Sequence, residues 1–269
     1  VKVEAWEGGS VSTSRERVQS PDADFVESLC SAMVEHMTEQ GWLRSDEVAT
    51  ALLRVPREKF APGSPLETVY AAEAVVITRR DEHGAPMSSV SAPRIQAMML
   101  QQADLRPGMT VLEIGSGGYN AALIAELVGA GGEVTTVDID AEVVDRAREC
   151  LTAAGYEQVR VVIADAEHGV PEFAPYDRII VTAGAWDIPP AWIDQLAEDG
   201  VIVVPLRMRG LAPPAHRPHS PRRTRPRARS RCGYWHSDHT WVQSHGPWPT
   251  SRPTSRRVAA EARLMVGKR

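Results

Sequence analysis

The chain is short of the features that commit a protein to disulfides, metals or membranes. Its 269 residues hold three cysteines, Cys30, Cys150 and Cys232. An odd number cannot pair completely and none stands in a C-x-x-C spacing, which fits a reducing, cytoplasmic setting and offers no thiolate metal site. No run approaches the ~18 apolar residues of a membrane span, so no membrane partner is expected. The first 25 residues contain no apolar core of an export signal. A hydrophobic content of 43% and a charged content of 24% are ordinary for a globular protein.

The net charge of -5 conceals two unlike parts. Residues 211–269 carry 13 basic side chains against Asp238 and Glu261, leaving 17 basic and 33 acidic ones, a net of -16, in the first 210. Residues 1–21 read as a flexible leader, 22–60 as N-terminal helices, 61–206 as the main domain and 207–269 as a basic Arg/Pro-rich tail, disordered or aberrant.

Within the first part, Phe25, Leu29, Met33 and Met37 recur every four residues between a capping Asp22 or Asp24 and Gly41, which predicts a helix. Ser45-Asp46-Glu47 starts a second, ending near Pro56. Ala74 to Thr78 is a short apolar stretch, and Asp81-Glu82-His83-Gly84 is a turn. Ser91 reads as the N-cap of a helix with proline in its first turn and Ile95, Met98 and Met99 inward. Capping is one account of Ser91; chemistry is the other.

The organising stretch is 110–140. A buried strand (Val111 to Ile114) runs into the turn Gly115-Ser116-Gly117-Gly118, then a helix (Asn120 to Val128), then a strand closed by an acid (Val134 to Asp138). Turn glycines let a ligand approach the main chain, the helix start offers free N–H groups, and Asp138 can take a ribose diol. Glycine spacing leaves a dinucleotide reading weakly excluded. The acid at Glu113 tips the balance, because a carboxylate there would repel a pyrophosphate yet suits a ligand with an ammonium and a sulfonium, such as S-adenosylmethionine. Beyond it come a helix from Ala141 to Ala154, strands at Val159–Ile163, Asp177–Thr182 and Gly200–Pro205, and a helix at Pro189–Leu196. Strict alternation of strand and helix predicts an α/β, doubly wound parallel sheet with the ligand at the strands' C-terminal edge.

Several ordered blocks resemble one known family: Val55-Pro56-Arg57-Glu58-Lys59-Phe60, Ser91-Ala92-Pro93, Pro107-Gly108 before Val111-Leu112-Glu113-Ile114-Gly115, Gly118-Tyr119-Asn120-Ala121-Ala122, Ala174 to Thr182, and Ile188-Pro189 with Gln195-Leu196. Over roughly residues 42–206 the chain resembles the protein-L-isoaspartate (D-aspartate) O-methyltransferases. The resemblance implies a Rossmann-like class I methyltransferase sheet with an N-terminal helical extension, S-adenosyl-L-methionine as cofactor, and methyl transfer to an isoaspartyl or aspartyl carboxylate of a protein or peptide. It assigns the cofactor loop to Glu113, Gly115, Gly117 and Gly118, the ribose acid to Asp138, the adenine side to Asp165 and Ala166, and the active-site serine to Ser91, with Ser89 and Val90 beside the substrate. No metal is implied. The glycine run is one residue shorter than the family's, Ser88-Ser89-Val90-Ser91 replaces its Gln-Thr-Ile-Ser, and Leu206-Arg207 replaces a glycine after the last strand. Those departures resemble a branch that modifies an Asp of a ribosomally made precursor peptide.

A carboxylate is already ionised at neutral pH and a sulfonium is a good leaving centre, so no general base is required. Rate should come from alignment, with oxygen, methyl carbon and sulfur in line at about 3 Å. Ser91 can orient the oxygen, whereas a strong charge pair would stabilise the ground state. His168 reads as solvated or structural. Trp186 and Trp192 read as a peptide rim or as packing. The tail admits a basic arm for nucleic acid or an acidic leader peptide, a remote zinc site at Cys232, His236, His239 and His245, or text from a shifted reading frame. An inactive methyltransferase-like core that binds nucleic acid through its tail is the competing class. An NAD-dependent oxidoreductase lacks a hydride-transfer acid or base.

Overall fold

The computed structural model describes residues 23–115 and 117–207, together with the backbone of three short strands at 234–235, 241–242 and 261–267. The expected leader, Asp22, Ser116, and the tail side chains Cys232, His236, His239 and His245 lie outside the described residues.

Helices come first. α1 (Ala23–Glu39) buries Cys30, Met33 and Met37, while Phe25 is 44% exposed. The expected every-fourth-residue stripe therefore fails at its start. Four residues turn a helix through about 400°, so the stripe drifts by ~120° from Met37 back to Phe25, and Cys30 takes the inward place. α2 (Asp46–Arg54) begins as expected, with Ser45 Oγ accepting from Val48 N at 3.2 Å. A 3-10 turn at Arg57–Phe60 and the short α3 (Leu66–Val69) follow.

β1 (Val76–Arg80) and β2 (Pro86–Val90) form an antiparallel hairpin outside the main sheet, an element that strict strand–helix alternation misses. Next is α4 (Pro93–Ala103), and here Ser91 is not the N-cap. Ala92 occupies that position, extended at ψ 135, without a side-chain cap. Proline forces the preceding residue out of the helical region, so the helix begins at Pro93 and Ser91 falls one residue too early to cap it. Its hydroxyl is left for other work.

The remaining elements are β3 (Thr110–Ile114), α5 (Tyr119–Val128), β4 (Glu133–Asp138), α6 (Ala141–Ala154), β5 (Arg160–Ile163), β6 (Tyr176–Val181), α7 (Pro190–Asp194), β7 (Leu196–Arg207), the paired β8 (Tyr234–Trp235) and β9 (Trp241–Val242), and β10 (Glu261–Gly267). Strands of the main sheet lie in the order β10-β7-β6-β3-β4-β5, all parallel. α7 stops two residues before the expected Leu196, which instead opens β7 and pairs with Tyr176. Alternation along each strand serves two cores. Val111, Ile180, Val201 and Val203 face the side covered by α1, α2, α4 and α5, and Leu112, Ile114, Ile179, Val181, Ile202 and Val204 face the side of Tyr176 and Trp192. The first core runs from Cys30 to Val203, so the N-terminal helices and the sheet share one interior.

The chain leaves β3 in one direction to build β4 and β5, then returns to lay β6 on the other side of β3. Loops from those two strands diverge, which opens a crevice at the C-terminal edge between β3 and β6.

Candidate active site

Gly115, the residue after β3, stands at that crevice with φ +94. Any Cβ there would lie 2.9 Å from Thr182 Oγ1 and 3.1 Å from the Ala183 main-chain nitrogen. Neighbouring strands fix the turn: Gly115 N donates to Val137 O at 2.9 Å, and Thr182 N to Ile114 O at 2.8 Å. Gly118 has φ +83 and its missing side chain makes room for Phe60, 3.2 Å from a notional Cβ. Gly117 faces a different neighbour, the Ser89 carbonyl, 3.7 Å from where its Cβ would be. That contact sets the hairpin strand β2 on the lip of the glycine turn.

Asp138 ends β4, one strand over, half-buried, and its Oδ1 accepts from Asp140 N at 3.0 Å. Asp140 caps α6 by accepting from Glu142 N and Val143 N. Arg79 of the hairpin pairs with both Asp140 and Glu142, and Arg146 of α6 donates to Ser88 Oγ at 3.2 Å. The hairpin is thereby fastened to the helix that follows Asp138.

Glu113 is placed differently from its sequence reading. Its carboxyl is 1% exposed, beneath the start of α5 and not open to the crevice. Thr136, its cross-strand partner, donates to Glu113 Oε2 at 2.7 Å. Burial pushes the carboxyl from 4.5 up to about 7, with hydrogen bonds from Thr136 and Asn120 opposing the rise and Asp138 adding to it. Near neutral pH burial suppresses much of its charge.

On the far side of the crevice, Asp165 is exposed and caps a 3-10 turn by accepting from Glu167 N at 3.0 Å. Trp192, 4% exposed, donates from Nε1 to Ala166 O at 2.6 Å and so fixes that turn. Of the two tryptophans considered for a rim, Trp192 is packing and Trp186, 59% exposed, stands at the surface. His168 is exposed. Ser91 is half-buried, with its carbonyl held by Arg57 Nη2 at 2.7 Å, and the side chain of Val90 is buried in the core, so only its main chain borders the hairpin edge. Sequence reasoning missed Thr136 and Arg57 as shapers of the site, and of the two roles offered for Trp192 the structure bears out packing. Thr136 follows from strand register, for which a single sequence carries no signal. Arg57 stood inside a quoted block, where only its burial reveals its part.

Among the described residues, no three His, Cys, Asp or Glu side chains converge to hold a metal, and no helix is long and apolar enough to cross a membrane. A left-handed glycine turn at the switch point, with an acid ending the next strand, is the architecture of the Rossmann-like methyltransferase class. A solved protein-L-isoaspartate O-methyltransferase has this fold, with a TM-score of 0.61 and 36% identity over 66% of this chain and 55% of that one. A Plasmodium falciparum protein-L-isoaspartate O-methyltransferase, in complex with S-adenosyl-L-homocysteine, shares the fold at a TM-score of 0.58 and 21% identity, over 66% of this chain and 84% of that one.

The chain belongs to the protein-L-isoaspartate (D-aspartate) O-methyltransferase family, whose pattern matches residues 28–213. Relatives bearing that name include one from Hyperthermus butylicus, 42% identical over 69% of this chain and 78% of its own length. Another, from Methanopyrus kandleri, is 42% identical over 65% of this chain and 75% of its own.

Proposed function

We infer that the protein is an S-adenosylmethionine-dependent carboxyl O-methyltransferase acting on isoaspartyl residues of proteins or peptides. One observation carries the reading: the obligatory left-handed Gly115 opens the crevice beside Asp138, and the Ser89 carbonyl lies against Gly117, so that the hairpin segment 88–91 borders the nucleoside site.

The residues present fit the cofactor. Gly115, at positive φ and packed against Thr182 and Ala183, keeps the turn tight at the end of β3, ahead of the α5 N-terminus, and the acid ending β4 suits a ribose diol. In this reading Gly115, Gly117, Gly118 and Asp138 hold the cofactor, Glu113 biases the site electrostatically from below, and Asp165 with Ala166 flanks the base. The cofactor, when bound, supplies an electrophilic methyl group on a sulfonium. Everything else is positioning. Main-chain groups of Ser89 and Val90 align the peptide along the free edge of β2, and the Ser91 hydroxyl, released from capping, orients the incoming carboxylate oxygen. A hydroxyl does so without the charge pairing that would stabilise the ground state. No proton has to move.

The finer alternative is an Asp of a ribosomally made precursor peptide, suggested by the departure of Ser88-Ser89-Val90-Ser91 from the family's Gln-Thr-Ile-Ser. We place the reaction in the cytoplasm on the two buried, free thiols of Cys30 and Cys150.

Ser91→Ala and Asp138→Ala test the assignment together. Calorimetry with S-adenosylhomocysteine and a methyl-transfer assay on an isoaspartyl peptide should show Ser91→Ala binding normally with most turnover lost, and Asp138→Ala losing affinity. Unchanged turnover in Ser91→Ala would remove the serine from the mechanism, and wild-type protein without saturable uptake would end the assignment.

A further inference from the structure

Arg57 is 0% exposed, and among the described residues it forms no ion pair with a carboxylate. Neutral acceptors take its place. Nε donates to Val69 O at 2.7 Å, Nη1 to Gln96 Oε1 at 2.8 Å and Nη2 to Ser91 O at 2.7 Å. The flat face of the same guanidinium lies 4.7 Å from the ring centre of Tyr119. Burial lowers its pKa from the ordinary value, opposed mainly by Tyr119.

Burying an ion carries a penalty of several kcal/mol, and an apolar side chain could fill the space without one. What the guanidinium does that an apolar group cannot is hold three acceptors in its plane and a ring against its face. Two of its contacts belong to opposite halves of the site. Ser91 ends the hairpin segment assigned to the peptide, and Tyr119 is the first residue of α5, directly after Gly118 of the glycine turn. Phe60, from the same 3-10 turn, strengthens the second link, since its ring packs 5.5 Å from that of Tyr119 and against the bare face of Gly118.

We propose that Arg57 is a positioning residue that couples peptide binding to cofactor binding by clamping the Ser91 carbonyl and the Tyr119 ring on one guanidinium. Settling the glycine turn on a nucleoside fixes Tyr119, hence the guanidinium, hence the height of Ser91 at the mouth of the crevice. By thermodynamic reciprocity, peptide at Ser91 tightens the nucleoside by the same factor. The proposal rests on the carboxyl methyltransferase reading of this site.

The test measures the affinity of the full chain for S-adenosylhomocysteine, with and without a saturating isoaspartyl peptide, by calorimetry. Wild-type protein should show a coupling factor of about 5 or more. Arg57→Lys keeps the charge, but an ammonium cannot satisfy three coplanar acceptors and stack on a ring. Its coupling should fall towards one, with each separate affinity changing less than about threefold and turnover at saturation falling about tenfold. Gln96→Leu removes a single acceptor and should give an intermediate coupling; it decides the matter if Arg57→Lys does not fold. Loss of stability or of both affinities with coupling unchanged would mean a merely structural arginine and would overturn the proposal, as would a wild-type coupling factor of one. Failure of wild-type protein to bind S-adenosylhomocysteine at all is a different result, and would strike the functional reading beneath it.

Discussion

Glu113→Gln removes one titrating proton from the middle of the sheet and leaves an oxygen that still accepts from Thr136 Oγ1. In the folded protein the Glu113 carboxyl titrates at about 7 against 4.5 when unperturbed, chiefly because burial penalises its charge. The folded state therefore holds this proton more tightly than the unfolded chain does. Below the unfolded value both states are protonated and the group contributes nothing to the balance. As pH rises from there to the folded value the unfolded chain ionises first, so stability falls, and above it the full penalty of about 3 kcal/mol is in place. Glutamine has no such dependence. Urea unfolding of wild type and Glu113→Gln, followed by tryptophan fluorescence from pH 5 to pH 8, should show the variant gaining on wild type by about 2.5 kcal/mol across that range. A difference that stays flat with pH would refute the burial argument, and one that shrinks as pH rises would mean the folded site stabilises the carboxylate.

Gly115→Ala should lose about 1–3 kcal/mol of stability and all measurable uptake of S-adenosylhomocysteine, because its Cβ meets Thr182 and Ala183 at a positive φ. Gly117→Ala is the informative partner: its Cβ meets only the Ser89 carbonyl at ordinary contact distance, so a thermal melt should be unchanged while calorimetry shows weakened binding. Equal damage from both would mean that the turn is structural throughout. Ser45→Ala removes the oxygen that accepts from Val48 N and should cost about 1 kcal/mol of folding stability with no change in methyl transfer, measured by urea midpoint and assay.

Much of the site was legible because its geometry is local. A strand, a glycine turn, a helix and an acid at the end of the next strand follow one another within 110–140, and their hydrophobic periods give the elements directly. α6 spans Ala141–Ala154, the predicted range. One departure arose where the outcome depended on a neighbour distant in sequence. The β1–β2 hairpin has partly exposed strands whose polar Arg79, Arg80, Ser88 and Ser89 mask a strand period, and it is held by ion pairs to α6 some sixty residues on. Ser91 failed as a cap through the proline two residues later, a local signal that was available.

By itself, the sequence determined the order of strands and helices from β3 to β7, the glycine turn and the acid that answers it, since these need only dihedral preferences and the period of apolar residues. Only the tertiary structure decided that Glu113 is buried with a carboxyl titrating near 7, that the Ser89 carbonyl lies against Gly117, and that Arg57 ties Ser91 to Tyr119. Desolvation and contact depend on what the rest of the chain brings alongside a residue, and neighbours in space are set by sheet register and layer packing, not by proximity along the chain.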